Sequence, residues 1–322
     1  MRRRLLLFAV LLAACGAAIA PPPAASAAGL WADAAIFQEV GRLLADARRL
    51  LLVEMYEFDL PQLSSQLAAA RERGLDVRVI VDPTVAESRR TAGRLQAAGV
   101  PVRTYPVDDR RHQIDHVKLL IADQTVLAGG MNWGRNSHRN HDYALESRAP
   151  PVVARVLAIF EQDWSLAGGR PLPLAARAGG PVAQTAPGEE IRGLLQAAAA
   201  GARGRVWAEV FVFTDPTLLS ELVRAHRRGA DVRILLDPRQ DYNRQSFSLL
   251  SRAGVGVRWF PAPAGAKLHA KAGLFDRRLV LGSANWSLGG LDVNHELDLA
   301  TDDAGAVDAF AERFRADWAA VA

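Results

Sequence analysis

Two rhythms of apolar side chains alternate along this chain: a helical spacing, and short unbroken runs that suit buried strands. Ile36, Val40, Leu43, Leu44 and Ala47 share one face of a helix, and the largely apolar run from Leu50 to Tyr56 reads as a strand. Pro61 sits where a helix begins, Leu63 to Arg73 continues it, and Gly74 stops it. Val77 to Val81 is a second strand closed by Asp82-Pro83, a helix runs on to about Ala98 and Gly99, and Val100 to Tyr105 is a third strand. Val117 to Ala122 and Val126 to Gly129 are two further runs, joined by a turn at Asp123-Gln124. The alternation predicts an α/β lobe with a mixed, mainly parallel sheet.

The same order then returns. Val206 to Phe213 answers Leu51 to Phe58, ADVRILLDP answers LDVRVIVDP, and Gly229 and Gly254 answer Gly74 and Gly99. Asp59 to Asp215, Asp82 to Asp237 and His116 to His269 are all separated by about 155 residues, as in a unit used twice. Pro150 and Asp303 each open a closing helix that ends near Trp164 and Trp318, tryptophans expected in core packing. Two pseudo-symmetric α/β/α lobes are expected, over residues 30–165 and 189–322, with a Gly/Pro/Ala-rich linker over 166–188 and the site at the lobe interface.

The N-terminus reads as an address. Arg2, Arg3 and Arg4 precede the apolar run Leu5 to Ala14, which is too short to span a bilayer but suits a secretory signal over residues 1–14. Leu12-Ala13-Ala14-Cys15-Gly16 resembles a bacterial lipobox, which implies lipidation at Cys15, a tether over 15–29 and a lipid-anchored envelope protein. Cleavage after Ala25-Ser26-Ala27 is the alternative and would leave a secreted or periplasmic chain. Cys15 is the single Cys, so the fold holds no internal disulfide. Loss of the three Arg, with no acid in the leader, lowers the formal charge from +4 to +1 and removes any strong basic excess pointing to nucleic acid. Half of the chain is apolar, enough for substantial cores.

The chemistry lies in two matched stretches. The first carries His116, Lys118, Asp123, Gly129, Gly130 and Asn132; the second carries His269, Lys271, Asp276, Gly282, Ser283 and Asn285 at the same spacing. A Trp follows each Asn, and Asn-His-acid segments close both copies, at Asn140-His141-Asp142 and Asn294-His295-Glu296. On a strand, a His and a Lys two residues apart point to one face, as joint contact with one phosphate requires. One His-Lys-Asn set supplies a single imidazole. Two sets facing each other supply a nucleophile and a proton donor, with Lys118, Lys271, Asn132 and Asn285 against the phosphoryl oxygens.

This pattern resembles the twice-repeated HKD signature of the phospholipase D superfamily, H-x-K-x4-D followed by G-(G/S)-x-N. The second copy fits it residue for residue, and the first has Gly130 where the second has Ser283. The resemblance implies a two-step reaction through a covalent phosphohistidine, with His116 as nucleophile, His269 as general acid, Asp142 and Glu296 as the acids that orient the imidazoles, and Ser283 and Gly130 near substrate. Asp123 and Asp276 are expected to brace the turns after the motif strands, and His141 and His295 to point away from the site. No metal or other cofactor is expected, because the lysines supply positive charge. The expected partners are a phospholipid or other phosphodiester substrate and a membrane surface reached through the lipid anchor. A phospholipid-hydrolysing enzyme is the first expectation. A secreted endonuclease, with Arg110, Arg111, Arg135, His138 and Arg139 as a basic rim, is the alternative; phosphatidyl transfer and a non-enzymatic binding role come after it. Since both motifs lie in one chain, a monomer suffices.

Overall fold

The computed structural model describes residues 28–177, 180–186 and 189–321; the leader and Cys15 lie outside them. The first lobe runs β1 (Ala28–Ala32), α1 (Ala35–Asp46), β2 (Leu50–Met55), α2 (Pro61–Glu72), β3 (Asp76–Val81), α3 (Ala86–Ala97), β4 (Val102–Thr104), β5 (Lys118–Ala122), β6 (Thr125–Gly129), β7 (Tyr143–Ser147) and α4 (Pro150–Ala167). The second runs β8 (Val182–Gln184), α5 (Glu190–Gly201), β9 (Arg205–Val210), α6 (Pro216–Arg227), β10 (Asp231–Leu236), α7 (Asn243–Arg252), β11 (Gly256–Trp259), β12 (Lys271–Phe275), β13 (Arg278–Gly282), β14 (Leu297–Thr301) and α8 (Ala304–Ala319). Each lobe holds one seven-stranded mixed sheet, ordered β1-β7-β6-β5-β2-β3-β4 and β11-β10-β9-β12-β13-β14-β8.

Three expectations need correcting. Pairing is parallel only among β2, β3 and β4 and among β9, β10 and β11; the remaining neighbours are antiparallel. For β5–β6 and β12–β13 the reason is local, since two-residue turns join them and cannot make parallel crossovers. The segment expected as a tether ends earlier, because Ala28 and Gly29 already pair with β7. The expected linker contains β8, which pairs with β14. Three residues are too few to show a strand rhythm.

Leu51, Leu52 and Val53 are all fully buried because β2 is covered on both faces, which is why it reads as an unbroken apolar run. One outer core packs α1 to α3 on the first sheet, with Ile36, Leu67 and Leu95, and a second packs α5 to α7 on the other, with Leu194, Leu222 and Leu250. The third is shared by both lobes. It joins Leu119 and Ile121 of β5 to Leu274 of β12 and Leu281 of β13, with Phe160 of α4 and Phe310 and Phe314 of α8. The sheets therefore face each other across a common apolar layer, and the motif strands meet inside it. Among the described residues, no helix is long and apolar enough to cross a membrane.

Candidate active site

Backbone pairing across the lobes sets the site. Asp115 bridges His295, and His141 bridges Leu268, both in parallel sense. The His116 N–H donates to the His295 carbonyl at 2.8 Å, and the His269 N–H donates to that of His141 at 2.8 Å. The residue before each motif histidine is held as well. Asp82 accepts the Asp115 N–H at 2.7 Å, and Asp237 accepts the Leu268 N–H at 2.8 Å. Each motif thus lies against the Asn-His-acid segment of the other lobe, and the acids act across the interface. His116 Nδ1 lies 2.9 Å from Glu296 Oε2, and His269 Nδ1 lies 2.7 Å from Asp142 Oδ2. In the neutral imidazole, a proton on Nδ1 facing the carboxylate leaves Nε2 free to attack or to take up a proton.

The lysines are buried beside the histidines. Lys118 Nζ donates to the His116 carbonyl and Lys271 Nζ to that of His269, each at 2.5 Å. Tyr56 stacks edge-on with His116 at 4.8 Å between centroids, Phe211 lies 4.8 Å from His269, and the two ammonium groups sit over these same rings. Trp133 and Trp286 fix the asparagines that precede them by pairing with Phe58 and Phe213. Asn132 Oδ1 and Asn285 Oδ1 are buried without a protein partner and are free to accept a hydrogen bond, while contact with a phosphoryl oxygen falls to the Nδ2 N–H groups.

The electrostatics favour an anion. Burial, then Lys118 and Lys271, holds the His116 imidazole well below its ordinary range. Burial and Lys271 push His269 down to about 3, although Asp142 opposes them. Burial lowers Lys118 to about 7 and Lys271 to about 8, against the pull of Glu296 and Asp142. It also raises Glu296 to about 7, with Lys118 opposing. A phosphodiester anion among these groups stabilises the ammonium and imidazolium forms that burial penalises.

The other expected residues fall in distinct places. Asp123 accepts the N–H groups of Arg48, Arg49 and Leu50, and Asp276 those of Arg203, Gly204 and Arg205. Burial raises both acids, but these donors outweigh it and hold them below the usual range. They brace turns. Ser283 and Gly130, expected near substrate, seat the acids. The Ser283 hydroxyl bonds the Glu296 carboxylate and accepts the Leu297 N–H at 3.0 Å, while a Cβ on Gly130 would lie 2.2 Å from Asp142 Oδ1. The shorter acid needs the missing side chain, which accounts for the one departure between the motifs. On the rim, exposed Arg135 pairs with Asp59 at 2.6 Å, and Arg110 with Asp108 at 3.5 Å, which partly neutralises the expected basic patch.

His141 and His295 sit behind the site as reciprocal clasps. His141 of the first lobe binds Glu209 of the second at 2.7 Å, and His295 of the second binds Asp163 of the first at 3.0 Å with Glu54 at 3.5 Å. Those two acids with His295, and Glu209 and Asp317 with His141, are the groups among the described residues whose ligand atoms lie close enough to hold a metal ion. Sequence reasoning missed their acids and also Glu57, whose Oε2 accepts from Asn132 Nδ2 at 3.1 Å. The signal for Glu57 was a break in the repeat, Tyr56-Glu57-Phe58 against Phe211-Val212-Phe213.

The family profile described as "Cardiolipin synthase, PLD-like domain" matches residues 40–164 and 195–318. Mitochondrial cardiolipin hydrolase of Homo sapiens is 32% identical over 151 residues, 46% of this chain and 56% of that protein. Cardiolipin synthase A of Escherichia coli O157:H7 is 27% identical over 301 residues, 81% of this chain and 60% of that protein. The chain thus spans 56–60% of the length of these curated relatives. The crystal structure of phosphatidylserine synthase from Haemophilus influenzae Rd KW20 shares the fold with a TM-score of 0.71 and 13% identity, over 90% of this chain and 85% of that one. With both repeats matched by one family and both HKD sets brought to a single interface, the chain belongs to the phospholipase D superfamily, in its cardiolipin synthase-type PLD-like family.

Proposed function

We propose that this phosphodiesterase hydrolyses the headgroup ester of glycerophospholipids by a metal-independent, two-step route. The observation that supports it best is the exchange of acids across the interface, which gives one site two oriented imidazoles and two buried lysines. His116 Nε2 attacks phosphorus, the bond to the headgroup oxygen breaks, and His269 as imidazolium gives its Nε2 proton to the leaving alkoxide. Lys118, Lys271, Asn132 and Asn285 hold the non-bridging oxygens as charge shifts onto them. Neutral His269 then takes a proton from water, the hydroxide attacks phosphorus, and the bond to His116 breaks.

The lipid substrate is supported by the relatives named for cardiolipin and phosphatidylserine chemistry. The likeness to a synthase favours a second reading, in which an alcohol replaces water in the second step. An N-terminal lipid anchor at Cys15 in the cell envelope would hold the monomer at its substrate.

The test offers the purified full chain phosphatidylethanolamine vesicles, a chromogenic phosphate diester and DNA, each with and without added glycerol. Phosphatidic acid as the main product supports hydrolysis, a glycerol adduct supports transfer, and turnover of DNA alone refutes the lipid reading. Chelation by EDTA should leave the rate unchanged, whereas a loss restored by a divalent ion would refute metal independence.

A further inference from the structure

The two halves of the site are not equivalent at its mouth. Lobe 1 presents Tyr56, Glu57 and Gly134 where lobe 2 presents Phe211, Val212 and Ser287, and lobe 2 adds Lys267 where lobe 1 has Ile114. Glu57 is seated there. Its Oε2 takes the Asn132 amide N–H at 3.1 Å, and a Cβ on Gly134 would lie 2.1 Å from its Oε1. The glycine leaves room for this carboxyl, and the second lobe, with Val212, carries Ser287 at the equivalent position.

A phosphoryl oxygen held by the other N–H of Asn132 would lie about 5 Å from the Glu57 carboxylate, since the two N–H bonds of one amide diverge by about 120°. A carboxylate that close to an anion repels it unless something offsets the charge. Lys118 and Lys267 lie near enough to Glu57 to act on it electrostatically, but Lys118 also serves the phosphate. Burial still holds the Glu57 carboxyl above its ordinary range, so these groups offset its charge only in part, and a hydrogen-bond donor on the substrate would complete the pairing.

We propose that Glu57 is a specificity-determining residue that accepts a hydrogen bond from an ammonium or hydroxyl group on the alcohol of the diester, two or three atoms from its ester oxygen. The proposal rests on the phosphodiesterase reading and names the substrate class of that site. The preferred diesters carry an amino alcohol or a polyol, and diesters of a simple alcohol are poor.

The test compares kcat/KM of the full chain, Glu57→Val and Glu57→Gln on ethanolamine, glycerol and methyl diesters, each as the phosphatidyl lipid and as the water-soluble glycerophospho form. Wild type should prefer ethanolamine or glycerol to methyl by tenfold or more. Glu57→Val, which installs the residue of the second lobe, should cut that preference about tenfold. Glu57→Gln, which keeps an acceptor without the charge, should cut it more for ethanolamine than for glycerol. An equal loss on all three diesters overturns the proposal and leaves Glu57 as a group that merely positions Asn132; so does a wild type without the preference. Turnover of the soluble diesters with none of the lipids defeats the lipid reading alone, and the ratios still judge Glu57.

Discussion

Because each acid serves the histidine of the opposite lobe, removing one should disable one chemical role and not the other. Asp142→Asn takes the charge from a buried 2.7 Å contact with His269 Nδ1. The imidazolium needed to protonate the leaving group then stands unpaired in a dry site, at a cost of about 3–5 kcal/mol, or roughly 10²–10⁴ in rate at 1.36 kcal/mol per decade. That cost falls only where a proton must be given. An alkyl leaving group requires the proton; p-nitrophenolate leaves without it. In single-turnover measurements Asp142→Asn should therefore form the phosphohistidine slowly from an alkyl diester, by the full factor, but lose less than about tenfold with the nitrophenyl diester. Glu296→Gln unpairs the nucleophile, His116, and should slow both substrates alike. Identical leaving-group dependence in the two variants would refute the division of labour, and a reversed pattern would make His269 the nucleophile.

Burial places Lys118 at about 7 and Lys271 at about 8, so kcat/KM should fall as pH rises through about 7–8 while the ammonium groups lose their protons; a flat profile to pH 10 contradicts this. The basic limb of kcat should lie higher, since bound phosphate favours the charged amines. The clasp at His141 predicts a stability profile. Burial opposes its charge, but Glu209 and Asp33 outweigh burial and push it up to about 10, with Asp317, Arg313 and Tyr143 completing the surroundings. An unfolded imidazole titrates near about 6.5, so this contribution is complete below that pH and is lost as pH climbs through about 10. Urea midpoints at pH 6 and pH 10 should show the drop, and His141→Gln should flatten it. Gly130→Ser should displace Asp142 at an overpacking cost of about 1–3 kcal/mol and abolish turnover. Adding Asp142→Glu, which recreates the Ser283–Glu296 pairing, should restore part of it, and full activity in the single variant contradicts the steric account.

The repeat made most of this legible. His116 and His269, with their lysines and asparagines, stand out because a spaced pattern occurs twice, and Gly74, Gly99, Gly229 and Gly254 mark helix ends through positive φ angles of +76° to +96°. What stayed hidden depends on partners distant in sequence. The acids at 142 and 296 were visible, but their service to the opposite lobe follows from backbone bridges 127 and 180 residues apart that no local rhythm encodes. Two-residue turns such as Asp123-Gln124 pointed to antiparallel hairpins, yet the strand and helix alternation suggested a mainly parallel sheet. β1 and β8 are edge strands, defined by the neighbour they pair with more than by their own side chains.

Duplication explains why the interface is at once buried and the place where the motif side chains meet. A single lobe would hold a His, a Lys and an Asn but lack the acid its histidine needs, since that acid lies on the other repeat. It would also leave His141 without Glu209, or His295 without Asp163 and Glu54, and expose the shared apolar layer around Phe310 and Phe160. Separating the lobes therefore undoes catalysis and stability together. A symmetric interface of this kind cannot by itself tell the two ester bonds of a diester apart, because each phosphate face meets the same His-Lys-Asn set. Departures from the repeat have to supply that distinction. Those around the reacting groups are Gly130 with Asp142 against Ser283 with Glu296, Tyr56 against Phe211, and Glu57 facing Lys267. The first leaves both histidines paired and so preserves the chemistry, whereas Glu57 and Lys267 set opposite charges at the mouth. Selection of the scissile alcohol is the role proposed for Glu57, with Lys267 acting on its charge.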